Sequence, residues 1–356
     1  MKKIAVLFIF LFSTSFLYSQ VNFEKGSLSD VLQKAASEKK VLMVDVLTDW
    51  CKWCIELDNK VYSKSEISEY ANANLINYKI DAEKGEGIEF AKKYNIKGYP
   101  TVLFLDGDGN EIDRIYGYFP AKEFLVMMQD YNKGVNTYNA LKQTLEMDPN
   151  NIEANLKMAD KLITLGEDKD AKTLLNKIIE VDPQNAGGKT DDAKYKLAAL
   201  AGKETIINEI ETFIKENPQS DVLKDACLSL AENYFNVNSD IDNADKCYKE
   251  LLAMYPGDES IKSSYGQYLN SRAITLADKG KGEEDYKKGL SLIEEALPHL
   301  MGTVNEGSSY YIQSKLYYNL KEYNKALDAV NKALKIFDRK LYRDHKEKIE
   351  KQLSSK

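Results

Sequence analysis

Between residues 21 and 131 apolar positions come in short runs separated by polar turns, and the period of the pattern changes from one run to the next. Residues 29–38 read as a helix, and Val41–Leu47 as a mostly apolar strand buried on both faces. Residues 75–80 form a second such strand and residues 88–94 a short helix, followed by a third strand at Thr101–Leu105. The Asp- and Gly-rich stretch 106–110, flanked by hydrophobic runs, predicts a hairpin with residues 111–118. Pro120 then opens another helix at a first-turn position, where a missing N–H costs nothing. The order is α/β with a mixed sheet.

After Gly134 the strand signal disappears and helical spacing repeats. Ala171, Leu174, Leu175, Ile178 and Ile179 form one apolar stripe. The spacing returns at Ala244, Cys247, Tyr248, Leu251 and Leu252, and again at Ala326, Ala329, Val330, Ala333 and Leu334, with weaker copies starting at Ile206 and Tyr286. Twelve residues after four of these five starts stands a proline, Pro183, Pro218, Pro256 or Pro298, and in the fifth copy Asp338. Proline cannot continue a helix, so it predicts the same joint each time. The starts lie 35 to 42 residues apart, the period of a helix pair with variable turns. This array resembles the tetratricopeptide repeat, most closely in residues 320–336, where small Ala326 and Ala333 stand where that family packs its two helices tightly. Lys194 departs from the pattern, and Gly280, Lys281 and Gly282 imply an enlarged turn. The resemblance covers 135–350 and implies an all-α helical-repeat solenoid.

The chain begins with Lys2 and Lys3, nine unbroken apolar residues from Ile4 to Phe12, and a small, more polar stretch ending near Ser19. That is the order of a secretory signal peptide, so residues 1–19 are expected to be removed. An uncleaved anchor needs about 18–20 apolar residues, and Ser13, Thr14 and Ser15 interrupt the run. The mature protein is expected to be periplasmic or secreted, in an oxidising compartment. The full chain of 356 residues is 43% hydrophobic and 29% charged with a net charge of −7, which fits a globular protein of two or three domains. The acidic balance argues against a coat for nucleic acid phosphates. The only histidines, His299 and His345, lie far from the four cysteines, so a Cys/His zinc site has almost no material and no metal is expected.

The chemistry concentrates at Trp50-Cys51-Lys52-Trp53-Cys54. A CxxC pair can be a zinc half-site, a structural disulfide or a redox couple. No second Cys or His pair lies nearby, and the motif follows a buried strand and opens a helix. Cys51 therefore sits at a helix N-terminus, where unpaired N–H groups and the dipole favour a thiolate. Cys54 faces it from within the first turn, as the more shielded sulfur. Asp45, in an otherwise apolar strand, is either a proton acceptor for Cys54 or a carboxylate turned to a polar edge of the sheet. Pro100 stands directly before an apolar strand, where a cis Tyr99–Pro100 bond would set a backbone edge against the cysteines, able to pair with an extended peptide. Both tryptophans, Trp50 and Trp53, flank the motif, as an apolar platform for peptides or, for Trp50, as packing against the domain body.

Val44-Asp45, the Trp50-Cys51-x-x-Cys54 motif, Ile96-x-Gly98-Tyr99-Pro100-Thr101 and Gly117 fall in the order and approximate spacing of the thioredoxin family, which the segment 21–133 resembles over its whole length. The resemblance implies an α/β thioredoxin fold with Cys51 as attacking nucleophile, Cys54 as resolving thiol, Asp45 as buried acid/base and Pro100 as cis-proline. Lys52-Trp53 replaces the Gly-Pro of cytosolic thioredoxins and looks more like exported domains that receive electrons from membrane thiol:disulfide transporters.

These readings combine into an exported thiol–disulfide oxidoreductase that reduces or isomerises disulfides in protein or peptide substrates, with a helical arm that binds a protein partner and no dissociable cofactor. The alternative is a repeat-type scaffold whose thioredoxin-like domain is a redox-inactive or structural cap. Cys227 and Cys247 fall in the two helices of one repeat, either as buried thiols or as a structural disulfide.

Overall fold

The computed structural model describes residues 20–354, and the leader expected over 1–19 lies outside them. These residues fall into two compact units that divide between Lys133 and Gly134. In the first, α1 (Leu28–Glu38) starts at Ser27, whose hydroxyl accepts the Asp30 N–H while the Asp30 carboxylate accepts the Ser27 N–H, a capping box that fixes the first turn. Then come β1 (Val41–Leu47), α2 (Lys52–Leu57), a π-helical turn (Asp58–Tyr62), α3 (Ser65–Asn74), β2 (Leu75–Asp81), α4 (Gly87–Lys93), β3 (Thr101–Leu105), β4 (Glu111–Tyr116) and α5 (Ala121–Asn132).

The strand order is β2-β1-β3-β4, with β1 parallel to β2 and antiparallel to β3. Both faces are covered, which is why the inner strands are apolar along their length. Met43, Val102, Phe104 and Ile115 pack with Leu57, Val61, Ile67, Phe124 and Met128 on one face. Leu42, Val44, Val46, Ile80 and Leu103 pack with Val31, Ala35 and Phe90 on the other. The hairpin turn is closed by the Asp106 carboxylate, which accepts the N–H groups of Asp108 and Asn110. β4 stops at Tyr116, short of the expected 118, because Gly117 turns the chain away at φ +88°. Pro120 is the N-cap of α5, one residue outside the helix.

The second unit is entirely helical: α6 (Tyr138–Met147), α7 (Ile152–Leu165), α8 (Asp168–Val181), α9 (Thr190–Ala199), α10 (Ile206–Glu216), α11 (Leu223–Asn238), α12 (Ile241–Met254), α13 (Glu259–Lys279), α14 (Glu283–Leu300), α15 (Val304–Asn319), α16 (Tyr323–Ile336) and α17 (Lys340–Ser354). The apolar stripes read from the sequence lie on the second helices of successive pairs, and their small residues Ala171, Ala244 and Ala326 are fully buried. α17 closes the array, burying Tyr342 and Ile349 against Val330 and Ala333. On the same helix His345 lies edge-on to Tyr311 and Tyr318, at ring-centroid distances of 5.5 and 5.6 Å, and its Nε2 is buried with no hydrogen-bond partner. Burial pushes its imidazole down to about 4. Among the described residues no helix is long and apolar enough to cross a membrane.

Two expectations are corrected. Pro183, Pro218 and Pro256 stand just beyond the ends of α8, α10 and α12, but Pro298 lies inside α14. That helix continues because Leu300 is fully buried, against Gly266 of α13. The turn at 280–282 is three residues long, not enlarged; the extra length of that repeat is in α13 itself, at 21 residues against 10 in α9.

A Cβ on Gly266 would come 2.6 Å from Leu300 Cγ. Gly266→Ala should therefore destabilise the array by about 1–3 kcal/mol, the usual cost of overpacking. In a Leu300→Ala background the same glycine substitution should cost less, because the clashing side chain is gone. A double-mutant cycle followed by far-UV circular dichroism checks this, and simple addition of the two losses would refute the contact.

Candidate functional site

The strand register assembles this region. Val46 of β1 pairs with Thr101 of β3, and Leu47 with Asp81 of β2. The chain leaving β1 toward Cys51, the chain entering β3 from Pro100 and the chain leaving β2 therefore meet at one end of the sheet. Ala82 N–H donates to Leu47 O at 2.9 Å and Gly117 N–H to Pro100 O at 2.8 Å, which ties in the segments that follow β2 and β4.

Cys51 is the N-cap of α2, and its Sγ accepts the backbone N–H of Cys54 at 3.0 Å. The two cysteines are joined as a disulfide, Sγ–Sγ 2.05 Å. Each residue is 4% exposed, so the expected difference in shielding between them is absent. The Tyr99–Pro100 peptide bond is cis. A Cβ at Gly98 would run into the Tyr116 hydroxyl, so the tyrosine ring packs directly over the backbone that leads to that bond.

Two aromatic pairs flank the disulfide in sequence. Trp50 is 54% exposed, meets the Tyr99 ring edge-on at 5.8 Å, and is not packed into the domain body. Its indole N–H donates to both carboxylate oxygens of Glu83, each at 3.0 Å. Trp53 is 40% exposed and lies 5.4 Å from Tyr118, with the Lys52 ammonium 5.9 Å from its own ring centroid.

Asp45 is fully buried on an inner strand, which rules out the polar-edge alternative. It shares a sheet face with Met43 and Val102, the face covered by α2 and the π-helical turn. Lys79, its partner across β2, places Nζ 3.4 Å from Asp45 Oδ2 and also pairs with Asp58. Asp58 N–H donates to Cys54 O, so the two residues share one face of the helix. Neither oxygen of Asp45 has a hydrogen-bond partner. Burial raises its carboxyl to about 6 against the pull of Lys79, and the nearby Asp58 charge raises it further.

A family model described as a thioredoxin-like domain matches residues 28–132, and two tetratricopeptide-repeat models match residues 129–200 and 307–338. The chain carries a thioredoxin-like domain followed by tetratricopeptide repeats. The thiol:disulfide interchange protein DsbD of Yersinia pestis (strain Pestoides F) is 33% identical over 115 residues, 31% of this chain and 19% of that protein. The Escherichia coli K12 protein of the same name is 29% identical over 117 residues, 32% and 21% of the two chains. The chain thus spans about a fifth of the length of the curated relatives it matches. The oxidised C-terminal domain of Neisseria meningitidis DsbD is a similar solved structure, 20% identical, covering 31% of this chain and 98% of that one with a TM-score of 0.28.

Within the thioredoxin-like domain, Lys79, Asp58 and Glu83 are the neighbours of the cysteine motif that the sequence reading missed. Lys79 had a usable signal, a charge inside the apolar run 75–80, the same signal that singled out Asp45. Glu83 had none, because it sits in an exposed turn 33 residues from its indole partner. In the repeats, Cys227 and Cys247 are free, and burial pushes the Cys247 thiol up to about 11 and the Cys227 thiol in the same direction. Thiols so raised stay protonated and make poor nucleophiles. The carboxylates of Asp191, Asp192 and Asp221 converge within 4.8 Å, but Asp191 already accepts from Ser220 and Asn185, and Asp192 pairs with Lys189.

The Asp45 carboxyl is raised from 3.8 to about 6, so between these values the folded domain holds a proton that the unfolded chain has released. Asp45 therefore costs stability that grows as pH rises through this window and is constant above it. The stability of Asp45→Asn minus wild type should increase by about 2.4 kcal/mol between pH 4 and pH 7, at roughly 1.4 kcal/mol per pKa unit. Urea unfolding followed by tryptophan fluorescence measures it, since both tryptophans lie in this domain. An offset independent of pH would contradict the raised carboxyl.

Proposed function

We propose that the chain is an exported thiol–disulfide oxidoreductase that reduces or isomerises disulfides in protein or peptide substrates, with its repeats as a binding arm. The observation that carries this reading is the Cys51–Cys54 pair, capping α2 at the sheet end it shares with the cis Tyr99–Pro100 link. Similarity to thiol:disulfide interchange proteins supports the class of chemistry. The leader-like sequence of residues 1–19 supports export.

In the cycle, a dithiol donor first reduces the Cys51–Cys54 disulfide, supplying two electrons. The Cys51 thiolate attacks a substrate disulfide, and one substrate sulfur leaves as a thiolate. Cys54 gives its proton to Asp45, which is ionised above about pH 6, and then attacks the Cys51 sulfur. The second substrate sulfur departs, takes up a proton, and the Cys51–Cys54 bond is restored. No dissociable cofactor enters this exchange. Trp50, Trp53 and Tyr99 offer aromatic surface to residues around the substrate cysteine, and the backbone of Tyr99, ahead of the cis link to Pro100, pairs with an extended peptide. A membrane thiol–disulfide transporter is the class of donor proposed, and a protein partner is proposed for the repeats.

Reduction of insulin by dithiothreitol, measured with wild type, Cys51→Ser and Cys54→Ser, tests this reading. Wild type should accelerate precipitation of the insulin B chain, and both variants should fall to the uncatalysed rate. Cys54→Ser should also accumulate mixed disulfides on Cys51. Equal rates for all three proteins would leave the repeats as the working part and the thioredoxin-like domain as a structural cap.

A further inference from the structure

The turn after β2 is fastened to the segment before Cys51 by two crossed side-chain contacts. Trp50 donates its indole N–H to Glu83, and Lys84 pairs with Asp49. The turn is itself set by Asp81, whose Oδ1 accepts the Glu83 N–H at 2.9 Å and whose Oδ2 lies 2.7 Å from Lys84 Nζ. Glu83 is thus fixed at its backbone by the end of β2 and presents its carboxylate outward. Trp50 needs such an anchor, because more than half of it is exposed and only one ring, Tyr99, meets it edge-on. An indole with so little packing would otherwise sample several rotamers.

We propose that Glu83 is a positioning residue for the redox site, acting through Trp50. By accepting the indole N–H on both oxygens it holds the ring in one orientation beside Cys51 and against Tyr99. The aromatic wall that meets the residue flanking a substrate cysteine is then formed before the substrate arrives, so binding does not have to order it. The effect is confined to substrates that carry polypeptide around the disulfide. This inference rests on the oxidoreductase reading for its kinetic arm, and its spectroscopic arm stands apart from it.

The test compares Glu83→Ala with Glu83→Gln in the full chain. The amide oxygen of glutamine still accepts an N–H, whereas alanine removes the acceptor. With insulin as substrate, Glu83→Ala should raise KM roughly 2- to 10-fold, the ordering cost of one large side chain, and leave kcat nearly unchanged. Glu83→Gln should stay close to wild type, and turnover of 5,5′-dithiobis(2-nitrobenzoate), which has no polypeptide, should be equal in all three. In a Trp53→Phe background Trp50 is the remaining tryptophan, and its fluorescence anisotropy should fall in Glu83→Ala and hold in Glu83→Gln. Unchanged anisotropy in Glu83→Ala overturns the proposal, as does an insulin KM equal to that of wild type. If the wild type turns over neither substrate, the oxidoreductase reading fails while the anisotropy still decides whether Glu83 orients Trp50.

Discussion

The pairing of β1 on both sides is the constraint on which the cysteine site depends. Val46 against Thr101 and Leu47 against Asp81 bring the ends of three strands together, and each end feeds a loop that carries chemistry: Cys51 after β1, Pro100 before β3 and Glu83 after β2. Side chains alternate along a strand, so a slip of one residue would turn Asp45 to the opposite face, among Leu42, Val44 and Val46. It would also part the cysteine loop from the proline. Because β1 is apolar on both faces, Asp45 and its partner Lys79 are the residues that mark its register.

Burial on two faces also explains what was readable in the chain. The inner strands had to be almost wholly apolar, so Val41–Leu47 and Thr101–Leu105 stood out, and Asp45 stood out within the first of them. The same logic marks Lys79, since a buried carboxylate on an inner strand calls for a cation on the next one. α3 escaped notice because its ten residues are mostly small or polar and bury little beyond Ile67, Ser68 and Ala71. Glu83 escaped for a different reason. Its hydrogen bond joins exposed loops distant in sequence, and such bonds leave no periodicity behind. The cis Tyr99–Pro100 link lay within reach because a proline next to a buried strand has few places to go.

In the helical unit the stripes of small residues fixed the second helix of each pair, while the joints followed packing as much as punctuation. Proline ends α8, α10 and α12 where nothing beyond it is buried deeply enough to hold the helix together. In α14 the burial of Leu300 outweighs the N–H lost at Pro298. Length is treated in the same way: the longest repeat extends α13 and keeps its turn short.

His345 gives the end of the array its own response to acid. The imidazole lies edge-on to Tyr311 and Tyr318 from α15, and beside the Ser314 backbone the charged groups that act on it, Lys315 and Lys348, are both cations. A proton taken up at Nε2 would find no anion to meet it. The unfolded chain accepts that proton near pH 6.5 and the folded one only near 4, so the hold of α17 weakens as pH falls through this interval. Over much of the same interval the buried carboxyl of the sheet becomes neutral and its burden lifts. Acidification therefore pulls on the two ends of the chain in opposite senses, loosening the terminal helix while easing the strand that leads to the cysteines.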